Sequence, residues 1–334
     1  MWNMFAAVKC SGNRFMTQYY SPITYTVQEE DDGMLLKTIL QKRMGVSRKL
    51  LSRLKMTEQG IHLNGSRVYI SVKVKQGDIV DIRMEQETSE DILPQPMDLP
   101  ILFEDEHLLV LNKPAGSVVH PTHGHYTDTL ANGVVYYWAA QGWKYRFRAV
   151  HRLDQETSGV LCIAKNPYIH QHISEQMIAG VVDKRYLALV HGIPLPASGD
   201  IDLPIDRDPV DTHRRIVTPS GYPSLTRYRV RETYDSLASL VELKLETGRT
   251  HQIRVHMSHL GHALIGDKMY SQTLQHAEYA DSVMDIDAHI QRQALHAERL
   301  TLFHPILNRS MTFEAPLPSD MSHLREWLQN QNLA

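Results

Sequence analysis

The sequence predicts an α+β protein: a small N-terminal α+β module, then a larger domain built on a mixed, mostly antiparallel sheet with flanking helices. Three observations lead there. Strand-like segments follow one another with few helices between them, which argues against a doubly wound parallel sheet. Period-two alternation is clearest at Val241, Leu243 and Leu245, as in a strand with one face turned to a core. Residues 87–100 hold Pro94, Pro96 and Pro100 among acids and few apolar side chains, the composition of a linker.

The elements follow in order. Residues 1–20 read as an extension or a disordered segment without a clear periodic pattern, and Met16, just before the strand-like Thr24–Val27, suggests a start site set too far upstream. In the module, assigned to 21–86, Leu35, Leu36, Ile39 and Leu40 fall at helical spacing, and Ser47 opens a second, basic helix bearing Arg48, Lys49, Arg53 and Lys55. Short strands follow around Asn64-Gly65, a dipeptide whose tolerance of positive φ favours a tight hairpin, and over Val72–Val80. Beyond the linker, in a domain assigned to 101–328, strands are expected at Ile101–Phe103, His107–Asn112, Gly159–Ala164, Tyr186–His191, Thr226–Arg231 and Leu240–Leu245, with a helix over Thr127–Ala140. The stretch Ser271–Ile290 matches no pattern and reads as a loop insertion near the mouth of a site.

Composition narrows the function. Apolar residues make up 42% of the chain, enough for more than one cored domain, and no apolar run reaches the roughly 20 residues of a membrane span. The two cysteines, Cys10 and Cys162, form no Cys-x-x-Cys pair, which argues against a disulfide framework or a cysteine zinc site, and with neither a membrane span nor a basic region followed by a long apolar core at the start the cytoplasm is the expected compartment. Net charge is −3, yet Met34–Met84 carries eleven Lys and Arg against three Asp and Glu, and Glu85–Leu108 carries eight acids and no Lys or Arg. A concentrated basic face binds phosphate even on a slightly acidic protein. There is no phosphate loop of the Walker type, no Gly-x-Ser-x-Gly elbow and no dinucleotide fingerprint.

The chemistry concentrates in His151-Arg152-Leu153-Asp154-Gln155-Glu156-Thr157-Ser158-Gly159, where an arginine stands two residues before an aspartate and a Thr-Ser-Gly turn leads into an apolar strand. Two further runs accompany it: Lys184-Arg185-Tyr186-Leu187-Ala188-Leu189-Val190-His191-Gly192, and Gly248-Arg249-Thr250-His251-Gln252-Ile253-Arg254. Thr250 is the expected N-cap of a helix that aligns His251 with Arg254. Together these motifs resemble those of the RluA-type pseudouridine synthases. The likeness continues in order through Val110–Gly116, Arg292–Ala297 and Ala315–Pro318, and Met34–Met84 resembles an S-four-type RNA-binding module. Several motifs in the expected order are a far stronger signal than any one of them.

The resemblance implies isomerisation of uridine in RNA. Asp154 would be the nucleophile, since a carboxylate can form a covalent intermediate that splits a difficult step; attack on the sugar, attack on the pyrimidine ring and elimination from the sugar all stay open. Tyr186 would stack on the everted base and accept the carbon 5 proton, and Arg254 would pair with Asp154 through two parallel hydrogen bonds. Arg152 would fill the space left by the everted base, with His151, Thr157, Arg249 and His251 as further substrate-binding residues and Arg48, Lys49, Arg53 and Lys55 as RNA contacts. An isomerisation changes no oxidation state, so neither cofactor nor metal is expected. The expected partner is RNA, ribosomal large-subunit RNA ahead of transfer RNA, for a monomer without a membrane. Two rivals come from other classes: a non-catalytic RNA-binding or ribosome-assembly protein, and a metallohydrolase on His251, His256, His259 and His262, which Gly261 and Arg254 disfavour.

Overall fold

A computed structural model describes residues 18–122, 124, 126–271 and 280–331, in two units divided after Glu87. The expected extension at 1–20 lies almost wholly outside the described residues, as does the part of the unassigned stretch at 272–279.

In the N-terminal unit, β1 (Ile23–Thr26) precedes α1 (Leu36–Thr38), which continues as a π-turn over Ile39–Arg43, and then α2 (Arg48–Met56). Ser47 caps α2 as its spacing predicts, its Oγ accepting from the Leu50 amide at 3.2 Å. The hairpin of β2 (Ile61–Leu63) and β3 (Ser66–Arg67) turns on Asn64-Gly65, both at positive φ. With β4 (Ile79–Ile82) these strands form an antiparallel sheet in the order β1-β4-β2-β3. Residues 72–75, expected to begin a strand, stay outside it because their backbone bonds the helical side: the Leu36 amide donates to Val72 O and the Val74 amide to Met34 O. Leu36, Ile39, Leu40, Leu54 and Val80 are buried between helices and sheet.

The second unit begins with residues 88–100, the expected linker. They hold no helix or strand but pack on their own unit: Ile92 is buried with Leu109, Val134 and Trp138, and the Asn132 side chain donates to Leu93 O at 2.7 Å. Acids and prolines told of irregular backbone and concealed the apolar anchors between them.

A nine-stranded sheet forms the frame. Its strands are β5 (Ile101–Glu104), β6 (Leu108–Lys113), β7 (Ser158–Ala164), β8 (Asp183–His191), β9 (Ser198–Asp202), β12 (Leu225–Tyr234), β13 (Ala238–Leu245), β14 (Leu295–His304) and β15 (Arg309–Glu314). A separate hairpin, β10 (Ile205–Arg207) with β11 (Arg215–Val217), stands apart from it. The order is β5-β6-β7-β14-β8-β13-β12-β9 with β15 on β14, antiparallel except for β7 beside β14. The mixed, mostly antiparallel sheet predicted from the sequence is the one observed. Helices α3 (Leu130–Ala140), α4 (Pro167–Ile178), α5 (Gln252–His259), α6 (Ala280–Asp287) and α7 (Ser319–Gln331) flank it. A reciprocal Thr129–Asn132 capping box starts α3, and Asn166 with Pro167 at the first helical position starts α4.

The stretch 271–290 is not simply a loop. Its described C-terminal half is α6, with Ile286 and Ile290 buried against Ile265 and Leu324. Asp287 accepts from the Gly266 amide at 2.7 Å and lies 2.9 Å from His191 Nε2. No helix among the described residues is long and apolar enough to cross a membrane.

Candidate active site

Strand ends meet where β7 and β14 run parallel. Gly159 has φ +115°, and a Cβ there would lie 2.1 Å from Ala297 O, so only glycine lets the two backbones close to pairing distance. The loop that feeds β7 carries Asp154, and the next neighbours beyond β14 are β8 with Tyr186 and β13 with Leu245. These residues, Leu295 and the N-terminus of α5 line one cavity of about 500 Å³. Asp154, Tyr186, Arg254, Arg152, His151, Thr157, Arg249 and His251 all line it, although they come from three distant stretches of chain.

Asp154 is 30% exposed, with an oxygen 3.7 Å from Arg254 Nη1 and 3.9 Å from His251 Nε2. The expected bidentate pairing of Arg254 with Asp154 is not what forms. Arg254 instead directs Nε and Nη2 to the buried Asp267, at 2.7 and 2.8 Å, and leaves Nη1 toward Asp154. Its guanidinium also stands 4.9 Å from the centroid of the Tyr270 ring. Asp267 accepts in addition from the amides of Met269 and Tyr270, so the turn after Gly266 holds the arginine in place. Burial opposes the charge on Arg254, but the two aspartates and the hydrogen bonds to Asp267 raise its pKa.

His251, not Thr250, occupies the N-cap of α5, in the left-handed conformation at φ 58° and without a capping side chain. Gln252 instead secures the turn before the helix, its Oε1 accepting from the Arg249 amide and the Thr247 hydroxyl, both at 2.9 Å. This frees His251 to face the cavity with Nδ1 3.0 Å from the Tyr270 hydroxyl. Burial lowers the His251 pKa and outweighs the opposing pull of Asp154, so the imidazole is neutral at pH 7. Burial first, and the Asp154 charge second, push the Tyr186 phenol well above its ordinary range.

The remaining expected residues differ in kind. Arg152 is exposed at the cavity, and Arg249 is exposed with its guanidinium 5.4 Å from the Tyr222 ring. His151 is held as a neutral acceptor, with Nε2 3.2 Å from the Cys162 amide and a pKa lowered by burial to about 4. Thr157 is buried, and its amide donates to Asp154 O at 3.0 Å, closing the turn that carries the aspartate.

Two residues that the sequence marks only through the family likeness brace this loop. Lys113 is fully buried, and Nζ donates to Pro114 O, Gln155 O and Thr157 O at 2.9, 2.7 and 2.9 Å. Burial presses its pKa down to about 7, while three carbonyl oxygens around three N–H bonds hold the proton. Arg292 joins Asp320 through Nε and Nη2, at 2.6 and 3.0 Å, and donates from Nη1 to Glu156 O. For Lys113 the signal was a charged residue at the end of an apolar strand, which marks a buried cation with obligatory partners; Arg292, between Gln291 and Gln293, carries no such signal.

Three of the four histidines of the metallohydrolase rival are occupied otherwise, His251 by the Tyr270 hydroxyl. Both His256 ring nitrogens have partners at 2.9 Å, Thr226 Oγ1 and Leu203 O, and His262 Nδ1 lies 2.9 Å from His191 O.

Comparison with known proteins decides the class. Residues 107–259 match the family model described as RNA pseudouridylate synthase, and residues 23–80 match that of the RluD ribosomal pseudouridine synthase N-terminal domain. A protein of Bacillus subtilis described as the uncharacterized RNA pseudouridine synthase YjbO is 40% identical over 282 residues, covering 84% of this chain and 95% of the relative. The chain belongs to the RluA-type family of RNA pseudouridine synthases. As a pseudouridine synthase it is an isomerase. Ribosomal large subunit pseudouridine synthase D of Zymomonas mobilis is 41% identical over 246 residues, 72% of this chain and 75% of that one. The structure of human RNA pseudouridylate synthase domain containing 4 superposes with a TM-score of 0.55 at 26% identity, over 69% of this synthase and 92% of the human chain.

Proposed function

We propose that this pseudouridine synthase acts on large-subunit ribosomal RNA, with Asp154 as the nucleophile toward a uridine everted from its stack. The observation that carries the mechanism is a partly exposed carboxylate at the cavity, 3.7 Å from a guanidinium that a second, buried carboxylate holds in position. Arg254 faces Asp154 without occupying both its oxygens, which leaves a lone pair for attack. The bond from ribose carbon 1 to base nitrogen 1 breaks and one to carbon 5 forms. The proton lost at carbon 5 equals the one gained at nitrogen 1, so no acid or base is consumed.

Tyr186 is neutral across the physiological range, so it serves as a flat wall against the uracil; as its oxygen takes the carbon 5 proton its own phenolic proton passes to solvent in the cavity, and solvent returns one to nitrogen 1. Eversion costs a few kcal/mol, and Arg152, exposed at the mouth, fills the vacated space. His251 and Arg249 stand where the flanking phosphates would pass. In the N-terminal unit, Arg48, Lys49 and Lys55 supply RNA contacts, whereas Arg53 is ion-paired with Glu87 and is the weakest of the four. The ribosomal target is supported by the N-terminal match and by relatives named as ribosomal large subunit synthases.

Asp154→Ala tests the mechanism. Pseudouridine formation in extracted ribosomal RNA should fall below detection, with the affinity for RNA changed less than about three-fold, since the loop is held by Lys113 and Arg292. Retained turnover would remove Asp154 as the nucleophile. Pseudouridine mapping of total RNA from a deletion strain identifies the target; loss confined to transfer RNA would overturn the ribosomal assignment.

A further inference from the structure

Two cavities lie side by side on the N-terminal unit, sharing Lys55 and Ile70. The larger, about 660 Å³, is floored by the buried Leu54 and Ile61 and walled by Val68, Tyr69 and Met56, with Arg67 at its edge. The smaller, about 330 Å³, is lined by Lys37, Gln41, Arg48 and Ser52. Arg48, Ser52 and Lys55 recur at spacings of four and three on α2, so they share one helix face. No acid lines either cavity.

Tyr69 and Met56 are each 86% exposed, the least covered large apolar side chains of this unit among the described residues. Water contact on that much apolar surface is unfavourable unless something covers it. The loop that presents Tyr69 is nonetheless held. The amides of Lys37 and Leu36 donate to Ile70 O at 2.9 Å and Val72 O at 2.8 Å, and the Val72 amide donates to Tyr69 O. The aromatic ring therefore sits on a fixed backbone, which limits the entropy lost when a flat partner stacks on it.

We propose that this paired groove holds one unpaired nucleotide of the RNA, its base stacked on Tyr69 against the Met56 thioether and its flanking phosphates on Lys37, Arg48 and Lys55. The charge pattern selects this occupant. A nucleotide joins a π-face to an anion within one residue's length, as the apolar groove and the acid-free cationic pocket do on the protein side. A base locked in a duplex cannot present its face, so the groove reads single-stranded or bulged structure in the RNA. This inference rests on the reading that the protein acts on RNA, but not on the catalytic role of any residue.

The test uses the full chain and a fluorescein-labelled 12-nucleotide oligoadenylate, free or annealed to its complement. Oligoadenylate contains no uridine, so binding of the free strand reports on the groove, and a failed catalytic assignment would leave the result standing. The wild type should prefer the single strand to the duplex. Tyr69→Ala should weaken single-strand binding on the order of ten-fold with an unchanged salt slope, and Tyr69→Phe should stay within about two-fold of wild type. Lys37→Ala should lower the salt slope by about one. An unchanged melting temperature for Tyr69→Ala separates impaired binding from impaired folding. Equal affinity of Tyr69→Ala and wild type, the result for a groove that takes a protein segment, overturns the proposal, as does a Tyr69→Phe variant as weak as Tyr69→Ala.

Discussion

Arg254 commits two donors to Asp267 and only a longer ion pair to Asp154. Asp267 has almost no exposed surface, so its carboxylate depends on the guanidinium and two backbone amides in place of water. Removing one member of a buried pair leaves the other desolvated without a counter-charge, at a cost of about 3–5 kcal/mol. Asp267→Asn should therefore lower the free energy of unfolding in urea by about that amount. It should also lower kcat more than it raises KM, because the released Arg254 can fold onto Asp154 and occupy the attacking oxygen. A variant as stable as wild type would show that the Asp267 pairing contributes little. Of this arrangement, the sequence disclosed Asp154 and Arg254 as members of one site. It gave Asp267 no role, because the burial that makes its carboxylate depend on Arg254 comes only with the tertiary fold.

At the scale of elements, β14 is the central one among the strands that the sequence concealed. Its pattern from Leu295 to His304 places His296 and His304, both fully buried, where an alternating strand would carry apolar side chains. His296 is accommodated by Ser158 Oγ at 2.9 Å and Ala315 O at 3.1 Å, partners from 138 and 19 residues away that periodicity cannot foresee. The pairing of β14 with β7 in turn requires Gly159. A methyl group there meets backbone, which has no rotamer to yield, and φ +115° is hostile to any L side chain. Gly159→Ala should cost at least ~2 kcal/mol and abolish activity, since β7 opens at Ser158, just after the turn that carries Asp154. Near-native denaturation curves and turnover would show that the strands can move apart without consequence.

At the scale of the whole molecule, the two units have separate cores and opposite local charge. The catalytic unit has its own sheet and its own buried clusters, none of which draws on residues 1–87. Deleting residues 1–87 should thus yield a folded synthase that binds ribosomal RNA more weakly and with a shallower dependence on salt, by about one unit of slope for each phosphate no longer neutralised. The slope of log affinity against log salt measures this directly; the same slope in both proteins would make the basic unit a bystander. The composition change at 87–100 reads as a linker, but the packing of Ile92 onto the catalytic core was not legible, because one apolar residue among acids and prolines carries no period.

What the sequence determined alone was local or countable: the α+β class, the helix opened by Ser47, the Asn64-Gly65 hairpin, the charge segregation, and a family whose motifs name the candidate site. Each depends on neighbours within a few residues or on motif order. Only the tertiary structure decided that Arg254 is gripped by Asp267, that Lys113 and Arg292 brace the Asp154 loop from inside, and that two exposed apolar side chains stand beside a cationic pocket. Burial sets those outcomes. Whether a charge is screened, paired or left wanting depends on which distant segments remove its water, and no short window of sequence contains them.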